Sequence, residues 1–229
     1  MEQFNPFTLV GKQILVTGAS SGIGKAIAVA CAKMGATVIV TGRNVERLNE
    51  TLNLMSEGDH KAISADLTKA EDIESLVAEL PKLDGLVQCA GVGSRVPCKN
   101  IGKEDLQHVF MPNVEAPILF QTAILSKRKI NKAASIVYVA SRAANAPSVG
   151  NAAYSASKGA IISYAKCLAL ELAPRLIPVN CICPGMVWTE LILKDIANLA
   201  IYLLSDASSW MTGSSLDISG GGEGILTLN

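Results

Sequence analysis

Short apolar runs and amphipathic stretches alternate along this chain. Lys12 to Thr17 (KQILVT) reads as a strand, and a Gly/Ser turn follows it. Gly24 to Met34 then carries helical periodicity and stops at Gly35. The alternation continues with strands predicted at Ala36–Thr41, Lys61–Ala65, Leu83–Gln88, Ser135–Ala140, Leu176–Cys183 and Ser215–Ile218. Between them the pattern predicts helices at Val45–Met55, Glu71–Glu79, Asp105–Ser126, Ser155–Leu172 and Lys194–Leu204. Pro112 and Pro117 must kink the long Asp105–Ser126 segment or start its parts. Strands that alternate with helices predict an α/β fold, with a parallel sheet covered on both faces. The strands are continuously apolar, as a sheet buried on both sides requires. No linker composition and no internal repeat divides the 229 residues, so one domain over 1–229 is expected.

Composition narrows the function classes. Charged residues are 17% of the chain, the formal net charge is zero, and Lys and Arg are scattered. That excludes the concentrated basic face nucleic acid needs. No apolar run reaches membrane-spanning length, and Glu2, Asn5 and Pro6 do not read as a signal peptide. The six cysteines do not pattern as a disulfide framework, and the two histidines, His60 and His108, lie far from them in sequence. No metal site is therefore expected. Cys181 and Cys183 read as small buried hydrophobes, and a reducing cytoplasm is the expected compartment.

Two clusters carry chemistry. The first is Thr17-Gly18-Ala-Ser20-Ser21-Gly22-Ile23-Gly24, between the first strand and the first helix. Small residues there let backbone approach a pyrophosphate, and the N–H groups of the helix start favour an anion. The spacing is TGxxxGxG rather than GxGxxG. The second cluster is Tyr154 and Lys158, four apart on one helix face. A neighbouring cation favours the phenolate, so Lys158 is expected to lower the Tyr154 pKa and make it an acid for a carbonyl oxygen. By itself the pair also fits a structural Tyr beside a snorkelling Lys.

Together with the glycine turn, the pair resembles the short-chain dehydrogenase/reductase family over nearly the whole chain. The 3-oxoacyl thioester reductases, which act on acyl carrier protein, are the subgroup the pattern resembles. Further landmarks fall in order: Asp66-Leu67 after the third strand, Cys89-Ala90-Gly91 after the fourth, Asn113 in the long helix, Ser141 after the fifth strand, and Pro184-Gly185, Val187 and Thr189 after the sixth. The resemblance implies a Rossmann-type doubly wound sheet and an oxidoreductase that moves hydride between a nicotinamide and a carbonyl or secondary alcohol. It implies Tyr154 as general acid/base, Lys158 on the nicotinamide ribose, Ser141 on the substrate oxygen, and Asn113 in a proton relay. The adenine would meet Asp66. It also implies a homotetramer or homodimer, packed through the two long helices. Alternatives are a steroid, bile-acid or sugar dehydrogenase of the same family, or a non-catalytic nucleotide-binding member.

Cofactor choice is read locally. The second strand ends Thr41-Gly42-Arg43-Asn44, with no acid to bond a ribose 2′-OH. Arg43 can fork onto a 2′-phosphate, so NADP(H) is expected over NAD(H). The other reading of Arg43 is a solvated surface charge. The chain departs from the family twice. Gln88-Cys89 stands where two Asn are usual, and the second Asn commonly braces the central sheet. And only Glu190–Leu193 separate Thr189 from the next core helix at Lys194, too few for the family's substrate lid. Either the lid is truly short, or residues have been dropped there; the second is the expectation.

Overall fold

A computed structural model of the chain describes residues 5–187 and 189–220. Seven strands form one sheet: β1 (Gln13–Thr17), β2 (Thr37–Gly42), β3 (Lys61–Ser64), β4 (Leu83–Gln88), β5 (Ile130–Val139), β6 (Val179–Pro184) and β7 (Ser215–Ile218). Their order is β3-β2-β1-β4-β5-β6-β7, and every pairing is parallel. The helices between them are α1 (Gly22–Lys33), α2 (Val45–Asn53), α3 (Ala70–Glu79), α4 (Lys103–Phe110), α5 (Ala116–Ser126), α6 (Ala152–Leu172) and α7 (Glu190–Leu204). This is the parallel sheet covered on both faces that the alternation predicted, in the doubly wound Rossmann-type order that the resemblance implied.

The period-two geometry of a strand divides the apolar runs between two cores. Leu15 of β1 joins Leu86, Phe120, Ile136 and Ile161 on the face covered by α3, α5 and α6. Its neighbours Ile14 and Val16 join Ile27, Ala28, Ile196 and Ala200 under α1, α2 and α7. Both faces are covered, which is why the strands show so little polar alternation.

The structure moves several predicted boundaries. β5 starts at Ile130 rather than Ser135. Ala133 has φ 59, and pairing jumps from Leu83↔Ile130 to Gly85↔Ser135 across a bulge. The polar residues Asn131 and Lys132 at that bulge hide the strand from an apolar-run reading. A π-helical turn, Met111–Glu115, joins α4 to α5 and contains Pro112. α6 starts at Ala152, before the predicted Ser155, so Tyr154 already lies in its first turn. The largest change is at α7. It begins at Glu190, with Thr189 as its N-cap, so Glu190–Leu193 are the helix's first turn. In this chain, helix follows Thr189 directly and leaves no room for a separate lid there.

Candidate active site

The strand order reverses between β1 and β4, whose return connections lie on opposite sides. At such a switch point the loops beyond the carboxyl ends part and leave a crevice. Here the crevice has a volume of about 680 Å³. Its walls include Gly18, Ser20, Ser21, Gly22, Ile23, Gly24, Arg43, Asp66, Leu67, Cys89, Ala90, Gly91, Tyr154 and Lys158, fourteen positions the sequence had nominated. Gln107, His108 and Met111 of the α4 region also reach it, and neither motif signals them.

The glycines of the first turn do different jobs. Gly18 (φ 65) lies against the end of β4: a Cβ there would sit 2.8 Å from the Ala90 Cα. A Cβ on Gly24 would run into the carbonyl oxygen of Gly18. Both positions need glycine for packing within the turn itself. Gly22, with φ 53 and no atom near a built Cβ, is the one held by its backbone conformation alone. Ser21 caps α1 without a side-chain hydrogen bond, so the first N–H groups of the helix keep their capacity for a ligand. Thr17, in the same motif, has a role that spacing did not reveal. Its buried Oγ1 accepts from the Cys89 N–H at 3.0 Å and the Ala90 N–H at 3.2 Å. This ties the end of β1 to the end of β4. Cys89 itself contributes no polar brace, and burial pushes its thiol up to about 12 against the pull of Lys158. Gln88, the other departure, donates from Nε2 to the Pro117 carbonyl at 3.1 Å and holds β4 to α5.

Arg43 is exposed on the crevice wall just past β2 and makes no salt bridge among the described residues. Across from it, Asp66 Oδ1 accepts from the Thr68 N–H and hydroxyl at 3.1 and 2.8 Å. Burial pushes the Asp66 carboxyl up. The Thr68 hydrogen bonds and the fields of Arg43 and Lys69 outweigh it and hold the pKa below 3.8.

At the other end of the crevice, α6 presents Tyr154 and Lys158. Lys158 is 6% exposed, and its Nζ donates to the Val139 carbonyl at 3.0 Å, 5.8 Å from the Tyr154 ring centroid. The sequence had Lys158 lowering the phenol pKa. The structure shows the opposite net shift. Burial raises Tyr154 above 10.0, a hydrogen bond with the Ser141 side chain draws it back, and Cys89 adds to the rise. Lys158 is engaged by the backbone of β5, and burial lowers its own pKa. Ser141, extended at the N-terminus of a short 3₁₀ turn (Arg142–Ala144), accepts from the Ala143 N–H at 3.1 Å. That contact aims its hydroxyl at the phenol.

Asn113 does not line the crevice. It is 2% exposed in the π-helical turn, behind Gly91, where a built Cβ would come within 2.8 Å of its Oδ1. Its side chain bonds both ways with Val92, accepting from N–H at 2.8 Å and donating to C=O at 2.9 Å. It also donates to Ser157 Oγ at 3.1 Å, and that hydroxyl donates to the Tyr154 carbonyl at 2.7 Å. Ser157 is fully buried and was missed by the sequence reading. Only its spacing on the α6 face toward Asn113 could have signalled it. Among the described residues, the nominated Pro184, Gly185, Val187 and Thr189 are not on the crevice walls. Pro184 ends β6 against Ile218, the Gly185 N–H donates to Ile218 O at 2.9 Å, Val187 packs on the second core, and Thr189 caps α7.

A second, open cavity of about 400 Å³ adjoins the crevice at Tyr154 and is walled by Gly93, Ser94, Arg95, Asn151 and Tyr154. Tyr154 and Gly93 are the residues common to both cavities. Tyr154 therefore borders both spaces. No group of His, Cys, Asp and Glu among the described residues could hold a metal ion.

Comparison with known proteins identifies the family. Residues 12–198 match the family model described as short chain dehydrogenase. The 3-oxoacyl-(acyl-carrier-protein) reductase FabG of Rickettsia felis is 31% identical over 235 residues, covering 93% of this chain and 97% of its own. An NAD-dependent glycerol dehydrogenase of Listeria innocua is 32% identical over 242 residues, covering 94% and 95%. A solved dehydrogenase/reductase from Sinorhizobium meliloti superposes with a TM-score of 0.84 at 34% identity, covering 94% of this chain and 96% of that one. The Rickettsia alignment runs 235 positions on 93% of 229 residues, so about twenty positions have no counterpart here. The family model spans most of the chain and the fold matches the solved relative: the chain belongs to the short chain dehydrogenase family.

Proposed function

We propose that the protein is an NADP(H)-dependent oxidoreductase that moves hydride between the nicotinamide and a carbonyl or secondary alcohol, with Tyr154 as general acid and base. The observation that carries this reading is the position of Tyr154 between two cavities, with Ser141 on its hydroxyl and Lys158 beneath its ring. The longer crevice fits a dinucleotide. It runs from Arg43 and Asp66, past the open Gly22 turn and the uncapped start of α1, to Lys158. Thr41 Oγ1, buried on its wall, has no partner among the described residues. When bound, the nicotinamide supplies or takes the hydride. Tyr154 supplies the proton to the carbonyl oxygen. Burial favours the neutral phenol, the acid form, and the Ser141 hydrogen bond opposes that rise. The Ser141 hydroxyl holds the same oxygen as negative charge develops on it. Asn113, through Val92 and Ser157, fixes the loop and the helix turn that carry these groups.

Preference for NADP(H) rests on Arg43, exposed at the crevice with no acid beside it on the strand end. The relative named as NAD-dependent makes this a property to measure in this chain rather than to carry over. Comparing KM for NADPH and NADH with a panel of ketones tests both parts. A preference for NADH overturns the cofactor assignment. Tight NADPH binding with no ketone turned over identifies a nucleotide-binding module. A homotetramer or homodimer is supported by Leu119 on α5 and Leu170 on α6, 57% and 78% exposed on the helices this reading assigns to subunit contacts. A monomer in light scattering overturns that. A cytoplasmic location is in keeping with the six free cysteines.

A further inference from the structure

The second cavity has an unusual lining for a carbonyl site. Apart from the Tyr154 ring, its walls are Gly93, Ser94, Arg95 and Asn151, with no aliphatic side chain and no carboxylate. Pockets for neutral, greasy ligands are lined mainly by apolar and aromatic groups. This one presents donors. Arg95 is exposed and carries no ion pair among the described residues, although two such pairs form elsewhere. Asn151 Oδ1 already accepts from the Ser148 N–H at 3.0 Å and the Ser155 hydroxyl at 3.1 Å. Those bonds fix the amide so that its Nδ2 group is the end left for a ligand. The two loops that form the walls are pinned together, since the Val96 N–H donates to the Gly150 carbonyl at 2.6 Å. The cation is therefore held on a braced loop, on the wall opposite nothing acidic and beside the phenol.

We propose that the substrate carries an anionic oxygen group, a carboxylate or a phosphate, recognised by Arg95 with help from Asn151 and Ser94 while Tyr154 meets the carbonyl. An arginine fork onto such a group gives geometry as well as charge, so it orients a small ketone that apolar walls could not. This rests on the proposed carbonyl reduction and specifies its substrate class.

The test uses matched pairs on the full chain with NADPH: 3-oxobutanoate against its methyl ester, and dihydroxyacetone phosphate against dihydroxyacetone. The charged member of at least one pair should have kcat/KM higher by roughly ten- to a hundredfold, the scale of one charge-assisted hydrogen bond. Which pair shows it separates carboxylate from phosphate. In Arg95→Gln the charged-over-neutral ratio should fall toward one, and Arg95→Lys should recover part of it. Equal kcat/KM within both pairs, or a ratio unchanged in Arg95→Gln, overturns the proposal. Calorimetric binding of 3-hydroxybutanoate against its methyl ester, and of glycerol 3-phosphate against glycerol, to the NADP-loaded protein gives a second readout, each anion being the acid of its pair. If no ketone is reduced but the acid still binds better through Arg95, the reductase reading fails and this assignment stands. If the acid has no advantage there either, both fail.

Discussion

Replacing Thr17 by Val keeps the shape of the side chain and removes one oxygen. That oxygen accepts two backbone N–H groups, from Cys89 and Ala90, at 3.0 and 3.2 Å, and Thr17 is fully buried. Leaving a buried donor unsatisfied costs about 1–3 kcal/mol. Two donors set an upper bound of about 6 kcal/mol. Cys89 and Ala90 face the crevice, where water can reach part of the vacated site, so the lower end, about 2 kcal/mol, is expected. Equilibrium urea unfolding measures it as a lower midpoint at unchanged slope. The Cys89–Gly91 loop also walls the crevice, so NADPH affinity should fall with stability. Thr17→Ser, which keeps the acceptor and loses only a methyl, should cost about 1 kcal/mol and bind NADPH normally. A change below about 0.5 kcal/mol in Thr17→Val, or Ser behaving like Val, refutes the claim that this hydroxyl ties β1 to β4.

Two further outcomes follow from the electrostatics. Ser141→Ala removes the hydrogen bond that favours the Tyr154 phenolate, so the spectrophotometric titration of Tyr154, read as the difference from Tyr154→Phe, should move to higher pH. A downward shift would contradict the assignment. Asp66 has a folded pKa below its ordinary 3.8, so its contribution to stability is present above 3.8 and is lost as pH falls through the folded value. The melting temperature of Asp66→Asn should therefore lie below that of the wild type at neutral pH, and the two should converge in acid. A gap that widens in acid would contradict the sign.

The fold was legible because buried parallel strands and their covering helices leave long, regular signals. Ile14, Leu15 and Val16 face alternate cores, so the run is apolar throughout and stands out. β5 was cut short because Lys132 and Ala133 form a bulge, whose irregular backbone has no hydrophobic period. Most of the crevice was legible because its glycines and its Tyr/Lys pair sit at fixed spacing along the chain. What escaped depends on contacts between distant segments. Thr17 meets Cys89 and Ala90 from seventy residues away, and Ser157 meets Asn113 from forty-four, through bonds no spacing encodes. The direction of the Tyr154 shift escaped for a related reason. The pair geometry was right, but burial and the Val139 carbonyl that engages Lys158 decide the sign, and both are tertiary. Arg95 lies in the loop after β4, where no motif singles it out, and only the fold puts it on one wall with Tyr154.

The central claim is that Tyr154 passes the proton to the reacting oxygen. Its most direct test is steady-state NADPH oxidation by Tyr154→Phe with a ketone the wild type reduces, alongside a fluorescence titration of NADPH. Phe keeps the ring and loses only the hydroxyl that bonds Ser141, so the variant should bind NADPH within about twofold of the wild type. Losing a positioned general acid should lower kcat by about a hundred- to ten-thousandfold. A Tyr154→Phe protein that binds NADPH and retains wild-type kcat would contradict the account.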